Sequence, residues 1–420
     1  MQGQLYESAV DNDYLNYLGN KIAAFAKTRL GFTFYLTRAT SINAFATPGG
    51  YVGVNAGLVL ATDNEHELAG VLAHEIAHVS QEHIARLILA AKNRQTANTA
   101  ALLAGALVAS QSDSDLGTGA IAAILAGETQ RQINDIRRHE IEADRVGKQL
   151  MQQAGFNPLG MQTFFGKLYT PGSVKNTPVY LLTHPLPESR QAALDTLQQR
   201  SKNLHSRDEY YLFRARVRSE FLSQSACQAL IKQEKNNNKP AIVDAAWYLS
   251  ALQALKQGQT EAALQHLAKM KTAMRRNRDV QLLRAKLQIL NRQVGQARAS
   301  YQRLWKQYHG DNIVAYDYAH FLSQRGEWQT AEKILAKQAE TSSNPQMYWL
   351  YGKVLQQLGK TVKQQQMLIR FYEQNGQYQQ ALTQAQIAAK LPQADWQSRA
   401  GFEAQQKKFQ RLLQQLSDTQ

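Results

Sequence analysis

From residue 32 the chain alternates apolar and polar positions in the manner of strands. Phe32-Thr33-Phe34-Tyr35-Leu36 is rich in aromatic and β-branched residues, and Pro48-Gly49-Gly50 is a turn signal before Tyr51-Val52-Gly53-Val54. A small sheet is predicted over residues 32–60. The period then becomes helical: Leu68, Val71, Leu72, Ile76 and Val79 follow Thr62-Asp63-Asn64-Glu65, which has capping-box spacing. One long helix is expected there, extending toward Ile84 and Leu87.

Between Ala100 and Gly127 two Ala/Leu/Ile/Gly runs flank Ser110-Gln111-Ser112-Asp113-Ser114-Asp115. Each run is shorter than the roughly 20 residues that cross a bilayer, so small-residue helices packed near the site are expected. A further helix is predicted from Gln130 to Ala154, stopped by Gly155 and Asn157-Pro158. Beyond a Pro/Gly/Ser-rich loop at 170–190 the pattern turns polar, and Lys235-Asn236-Asn237-Asn238-Lys239-Pro240 reads as a junction.

A repeat begins there. Ala263, Ala297 and Ala331 are spaced by 34 residues, in the frames Gly258-x4-Ala263 and Gly326-x4-Ala331, and the frame recurs at Gly376-x4-Ala381. With Trp247, Tyr301, Tyr316 and Tyr348 this resembles tetratricopeptide repeats, although Arg292 and Gln364 stand where Gly and Ala are expected.

Composition adds bounds. A chain of 420 residues, 44% hydrophobic and 19% charged, suits two or three globular domains. Its net charge of +15 allows anionic partners, including peripheral membrane contact. No zinc-finger pairs or RNA-binding aromatic motif accompany that charge, so no nucleic-acid partner is expected. A single cysteine, Cys227, excludes an internal disulfide framework and a cysteine-based zinc site. MQGQLYESAV lacks the basic and apolar regions of a signal peptide, so an intracellular chain or a trimmed form is expected.

The chemistry centres on His74-Glu75-Ile76-Ala77-His78. Residues four apart share a helix face, so His74 and His78 can present ring nitrogens to one Zn2+ ion while Glu75 acts as general base. Gln81 and Ile84 replace the Gly and His of the extended metzincin pattern. His83, five residues past His78, either supports a ligand from behind or is exposed. For the third ligand, His139-Glu140-Ile141-Glu142-Ala143-Asp144 offers two glutamates. Glu140 falls on the apolar stripe with Ile136, Ala143, Gly147 and Leu150, and Glu142 on the polar one, so Glu140 is expected as ligand and Glu142 as solvated. Asp144, one turn on, is placed to orient a ligating histidine.

HEIAH, Glu140-x-x-Ala143-Asp144 and Asn43-Ala44-Phe45-Ala46-Thr47-Pro48-Gly49-Gly50 together resemble the zinc metallopeptidase family of HtpX, Oma and the CAAX prenyl endopeptidases. The resemblance implies zinc on His74, His78 and Glu140, a gluzincin-type set. It also implies an edge strand at Asn43, Ala44, Phe45 and Ala46 that holds extended substrate. Thr183-His184-Pro185-Leu186-Pro187-Glu188-Ser189-Arg190 resembles the family's His-Pro element. There His184 either stabilises the oxyanion or fills the fourth zinc position, and Arg190 pairs with a nearby acid.

The C-terminal repeats make the chain similar to the family's soluble periplasmic branch, with its signal peptide removed. That branch implies unfolded polypeptide substrates and partners in outer-membrane protein assembly. The expected architecture is an α+β zincin-like metallopeptidase domain at 1–205, followed by an all-α tetratricopeptide-repeat domain at 206–420. A quality-control endopeptidase is the leading expectation. The alternative is a chaperone or adaptor working through the repeats.

Overall fold

The computed structural model describes residues 5–83, 85–86, 130–168, 178–184, 204–340, 342 and 344–417. Ile84, Leu87, the Ala100–Gly127 runs and Arg190 lie outside the described residues. Compactness divides the chain into Met1–Asn277 and Arg278–Gln420.

In the first unit, α1 (Ala9–Ala23) precedes β1 (Thr33–Thr37), β2 (Ala44–Thr47) and β3 (Tyr51–Asn55). The sheet order is β1-β3-β2, with β1 parallel and β2 antiparallel to the central β3. Phe45 pairs with Gly53, whose missing side chain leaves room for the ring. Helices α2 (Ala56–Ala61), α3 (Glu65–Ser80), α4 (Gln130–Gln153), α5 (Leu159–Leu168) and α6 (Val179–Thr183) follow.

Helix α3 is the axis of this unit. Its apolar residues are buried all round, as happens when a helix is enclosed by packing partners. Those partners are α1, β2, β3, α4 and α5. Gly70 permits the approach of α5: a Cβ there would lie 2.6 Å from Met161 Cα. The start of α3 differs in frame from the sequence reading. Asn64, not Thr62, caps it by accepting from Glu67 N at 3.1 Å, and Glu67 reaches back to Asp63 N at 2.8 Å. Thr62 donates instead to Val59 O, closing α2. The predicted end of α4 matches, with Gly155 in the left-handed region at φ +80°.

Helices α7 (Asp208–Phe221), α8 (Gln224–Lys235), α9 (Pro240–Lys256), α10 (Thr260–Ala268) and α11 (Thr272–Arg275) complete the first unit. Compactness carries the first unit on to Asn277 because α7 is tied into the preceding elements. Arg207 holds the buried Glu65 at the head of α3, Arg216 pairs with Asp11 at 2.6 Å, and Tyr210 donates to Thr62 O at 3.0 Å.

The second unit is all helical: α12 (Arg278–Leu290), α13 (Val294–Gln307), α14 (Asn312–Ser323), α15 (Trp328–Gln338), α16 (Pro345–Gln357), α17 (Thr361–Gln374), α18 (Tyr378–Ala389) and α19 (Trp396–Ser417). From Gly258 of the first unit onward, left-handed residues at 258, 292, 326 and 359 are spaced by 34, 34 and 33, with others at Gly310 and Gly376. Arg292 adopts φ +59° where its counterparts are glycines, so the turn persists without the residue that favours it. Ala263, Ala297, Ala331 and Ala381 are fully buried. Among the described residues no helix is long and apolar enough to cross a membrane.

Candidate metal centre

The i, i+4 spacing of α3 puts His74 and His78 on one face, with their Nε2 atoms 3.0 Å apart. Helix α4 packs along α3 and delivers Glu140, whose oxygens lie 3.2 Å from His74 Nε2 and 3.4 Å from His78 Nε2. From the end of α6, His184 brings Nδ1 to 3.3 Å from His74 Nε2 and 3.2 Å from Glu140. Donor atoms of these four residues all lie within 4.8 Å of one another.

The donor set fits a divalent cation. Asp144 accepts from His74 Nδ1 at 3.1 Å, which leaves the His74 Nε2 lone pair bare and aimed at His78 and Glu140. Bare lone pairs and a carboxylate at such distances repel unless a cation lies among them. A tetrahedral ion with bonds of about 2.0–2.1 Å has ligand–ligand edges of roughly 3.3–3.4 Å, close to the spacings found.

Electrostatics follow burial. Glu140 is 3% exposed; burial pushes its carboxyl up, but the adjacent His184, His78 and His74 together hold it well below the ordinary carboxylate range. Burial drives His78 well below the ordinary imidazole range. Glu75 sits beside the donor cluster, and burial raises its carboxyl against the lowering effect of His184 and His74. Its Oε1 is 3.5 Å from both Tyr180 Oη and His184 Nε2.

Asn43, Ala44, Phe45 and Ala46 lie at and just before β2, which packs against α3 and is an edge of the sheet among the described residues. Asn43 is itself buried, and its carbonyl accepts from Asn55 N at 3.0 Å.

Tyr180 has a role that the sequence patterns do not assign, and of the two readings of His83 the structure agrees with the one behind a ligand. Tyr180 is fully buried, stacks on His184 and Phe165, and donates to Glu75. Its signal was available, since Tyr180 stands four residues before His184. His83 is not exposed: it is 1% accessible, lies against His78 and Glu142, and burial lowers its pKa to about 4. Glu142 is correspondingly not merely solvated, because it accepts from Arg86 and His83.

The sequence model of peptidase family M48 matches residues 10–198. The β-barrel assembly-enhancing protease of Escherichia coli K12 is 35% identical over 257 residues, 60% of this chain and 52% of that protein. Its Yersinia pestis counterpart is 39% identical over 203 residues, 48% of this chain and 42% of that protein. The mitochondrial metalloendopeptidase OMA1 of Schizosaccharomyces pombe is 31% identical over 170 residues, 40% of this chain and 47% of that protein. The chain spans about half the length of the curated relatives it matches.

Proposed function

We propose, from the premise that residues 10–198 are a peptidase family M48 domain, that this protein is a zinc-dependent endopeptidase for misfolded or stalled polypeptides. The observation that carries this reading is the convergence of His74, His78, Glu140 and His184 beside a buried Glu75. His74, His78 and Glu140 hold the ion. Zinc bound there supplies Lewis acidity and lowers the pKa of water to about 7.

The protein's own residues do the rest. Glu75 takes the proton of the attacking water and returns it to the leaving amine, a role suited to a carboxyl that burial has raised. Tyr180 holds Glu75 in place through its hydroxyl, and Asp144 orients His74. The edge strand β2 receives an extended polypeptide through main-chain hydrogen bonds, which need little side-chain specificity.

His184 occupies the fourth corner of the donor set, within hydrogen-bonding distance of Glu140 and His74. This supports a self-blocked conformation in which His184 must withdraw before substrate enters. The regular left-handed turns and buried alanines support tetratricopeptide-like repeats. We assign those repeats the recruitment of substrate or of an assembly complex. The similarity to β-barrel assembly-enhancing proteases supports a periplasmic setting and a link to outer-membrane protein assembly.

Hydrolysis of casein tests the reading. It should be abolished by a chelator and cut by about 10²–10⁴-fold in Glu75→Gln. His184→Ala should raise it; a fall would favour the oxyanion role. Zinc-loaded protein with no turnover in either the parent or His184→Ala would sink the protease reading and favour a chaperone or adaptor.

A further inference from the structure

We propose that His83, seated on Glu142 and stacked on His139, is the positioning residue for His78. It accepts the His78 Nδ1 proton and so aims the His78 Nε2 lone pair into the metal centre, as Asp144 does for His74. The proposal rests on the reading that His74, His78 and Glu140 bind the ion.

The backbone is bent to achieve this. On a continued helix His83 would lie about 140° round from His78. Instead α3 stops at Ser80 and Glu82 takes φ +55°, a left-handed conformation that is unfavourable for a non-glycine residue. The turn swings the imidazole back, burying it with its Nδ1 2.9 Å from His78 Nδ1. A strained residue beside a candidate centre, directing a polar ring inward, is more readily explained by positioning than by packing.

Hydrogen-bond chemistry then fixes the direction of each proton. The Glu142 carboxylate accepts from Arg86 at 3.0 Å, and it has no proton to give, so His83 Nε2 is the donor of their 3.1 Å contact. A neutral imidazole has one N–H and one lone pair, which leaves His83 Nδ1 an acceptor. The proton between the two Nδ1 atoms therefore belongs to His78. His139 stacks on His83 at 4.5 Å with planes 12° apart and keeps the ring in this plane. Helix α4 thus serves both ligating histidines: Asp144 engages His74 directly, and Glu142 engages His78 through His83.

The test is zinc affinity of the full chain, measured by competition with a chromogenic chelator, alongside circular dichroism and Tm. His83→Ala should weaken zinc by roughly 10–100-fold with the fold retained. His83→Asn, whose Oδ1 replaces the accepting lone pair, should recover most of the loss. Glu142→Ala should fall between them. Equal weakening in the Ala and Asn variants would point to packing and overturn the assignment, as would parental affinity in His83→Ala. If His83→Ala does not fold, Glu142→Ala decides, and unchanged affinity there overturns it. A parent that takes up no zinc sinks the metallopeptidase reading instead, whereas tight zinc in the parent and every variant sinks only the positioning role.

Discussion

Around α3, ionisable side chains are buried and committed to particular atoms: Glu65, Glu67, His74, Glu75 and Glu140 are each 3% exposed or less. In Arg278–Gln420, pairs such as Arg298–Glu327, Lys360–Glu332 and Lys408–Glu373 stay toward solvent, and the interior is built largely of Ala, Leu, Ile and Tyr. The first arrangement concentrates consequence in a few residues, because a buried charge that loses its partner keeps its desolvation cost. The second spreads it over many small apolar contacts between neighbouring helices. A centre that must hold a cation at fixed distances requires the first kind.

The contrast can be broken most directly at Glu140. Glu140→Gln should lose bound zinc, whereas Glu142→Gln, whose amide oxygen still accepts from His83, should keep it; metal analysis of the purified proteins decides. Loss of metal only in the Glu142 variant would reverse the ligand assignment.

A smaller effect is expected at Gly70, where an added methyl meets the backbone of Met161. Gly70→Ala should cost about 1–3 kcal/mol by denaturant titration. A neutral result would show that α3 and α5 can slide, and the rigid half of the comparison would fail.

Arg278–Gln420 has exceptions: Asp279 is 6% exposed, and burial raises the pKa of Asp317 from 3.8 to about 6. The folded state therefore favours the protonated form. That stabilisation is full below about pH 3.8 and is lost as pH rises through about 6. Asp317→Asn should raise Tm over the parent at pH 7.5, with the gap closing by pH 4. A constant gap would show that charge at this position is not what differs.

The least change is expected at Arg292. Replacing it with Gly at φ +59° should add up to about 1 kcal/mol to the stability of the second unit, by relief of left-handed strain. A loss would mean that the guanidinium contributes more than the turn costs.

Much of this arrangement is visible in linear order because it follows helical period. His74 and His78 share a face by spacing, and the apolar stripe distinguishes Glu140 from Glu142. The capping frame at Asn64 was not legible, since Thr62, Asp63 and Asn64 all have capping side chains and only packing selects among them. His83 escaped a periodic reading because Glu82 ends the period one residue before it.

By itself the sequence determined the helix that carries the motif, the stop at Gly155, the 34-residue frame and the residue types available to a metal, because each depends on neighbours within a few turns. Only the tertiary structure decided that Tyr180 and His184 reach Glu75 and that His83 returns to His78. It also decided that the histidine Asp144 orients is His74. Those contacts close loops of many tens of residues or reverse the chain at a strained turn, and their geometry depends on how whole helices pack.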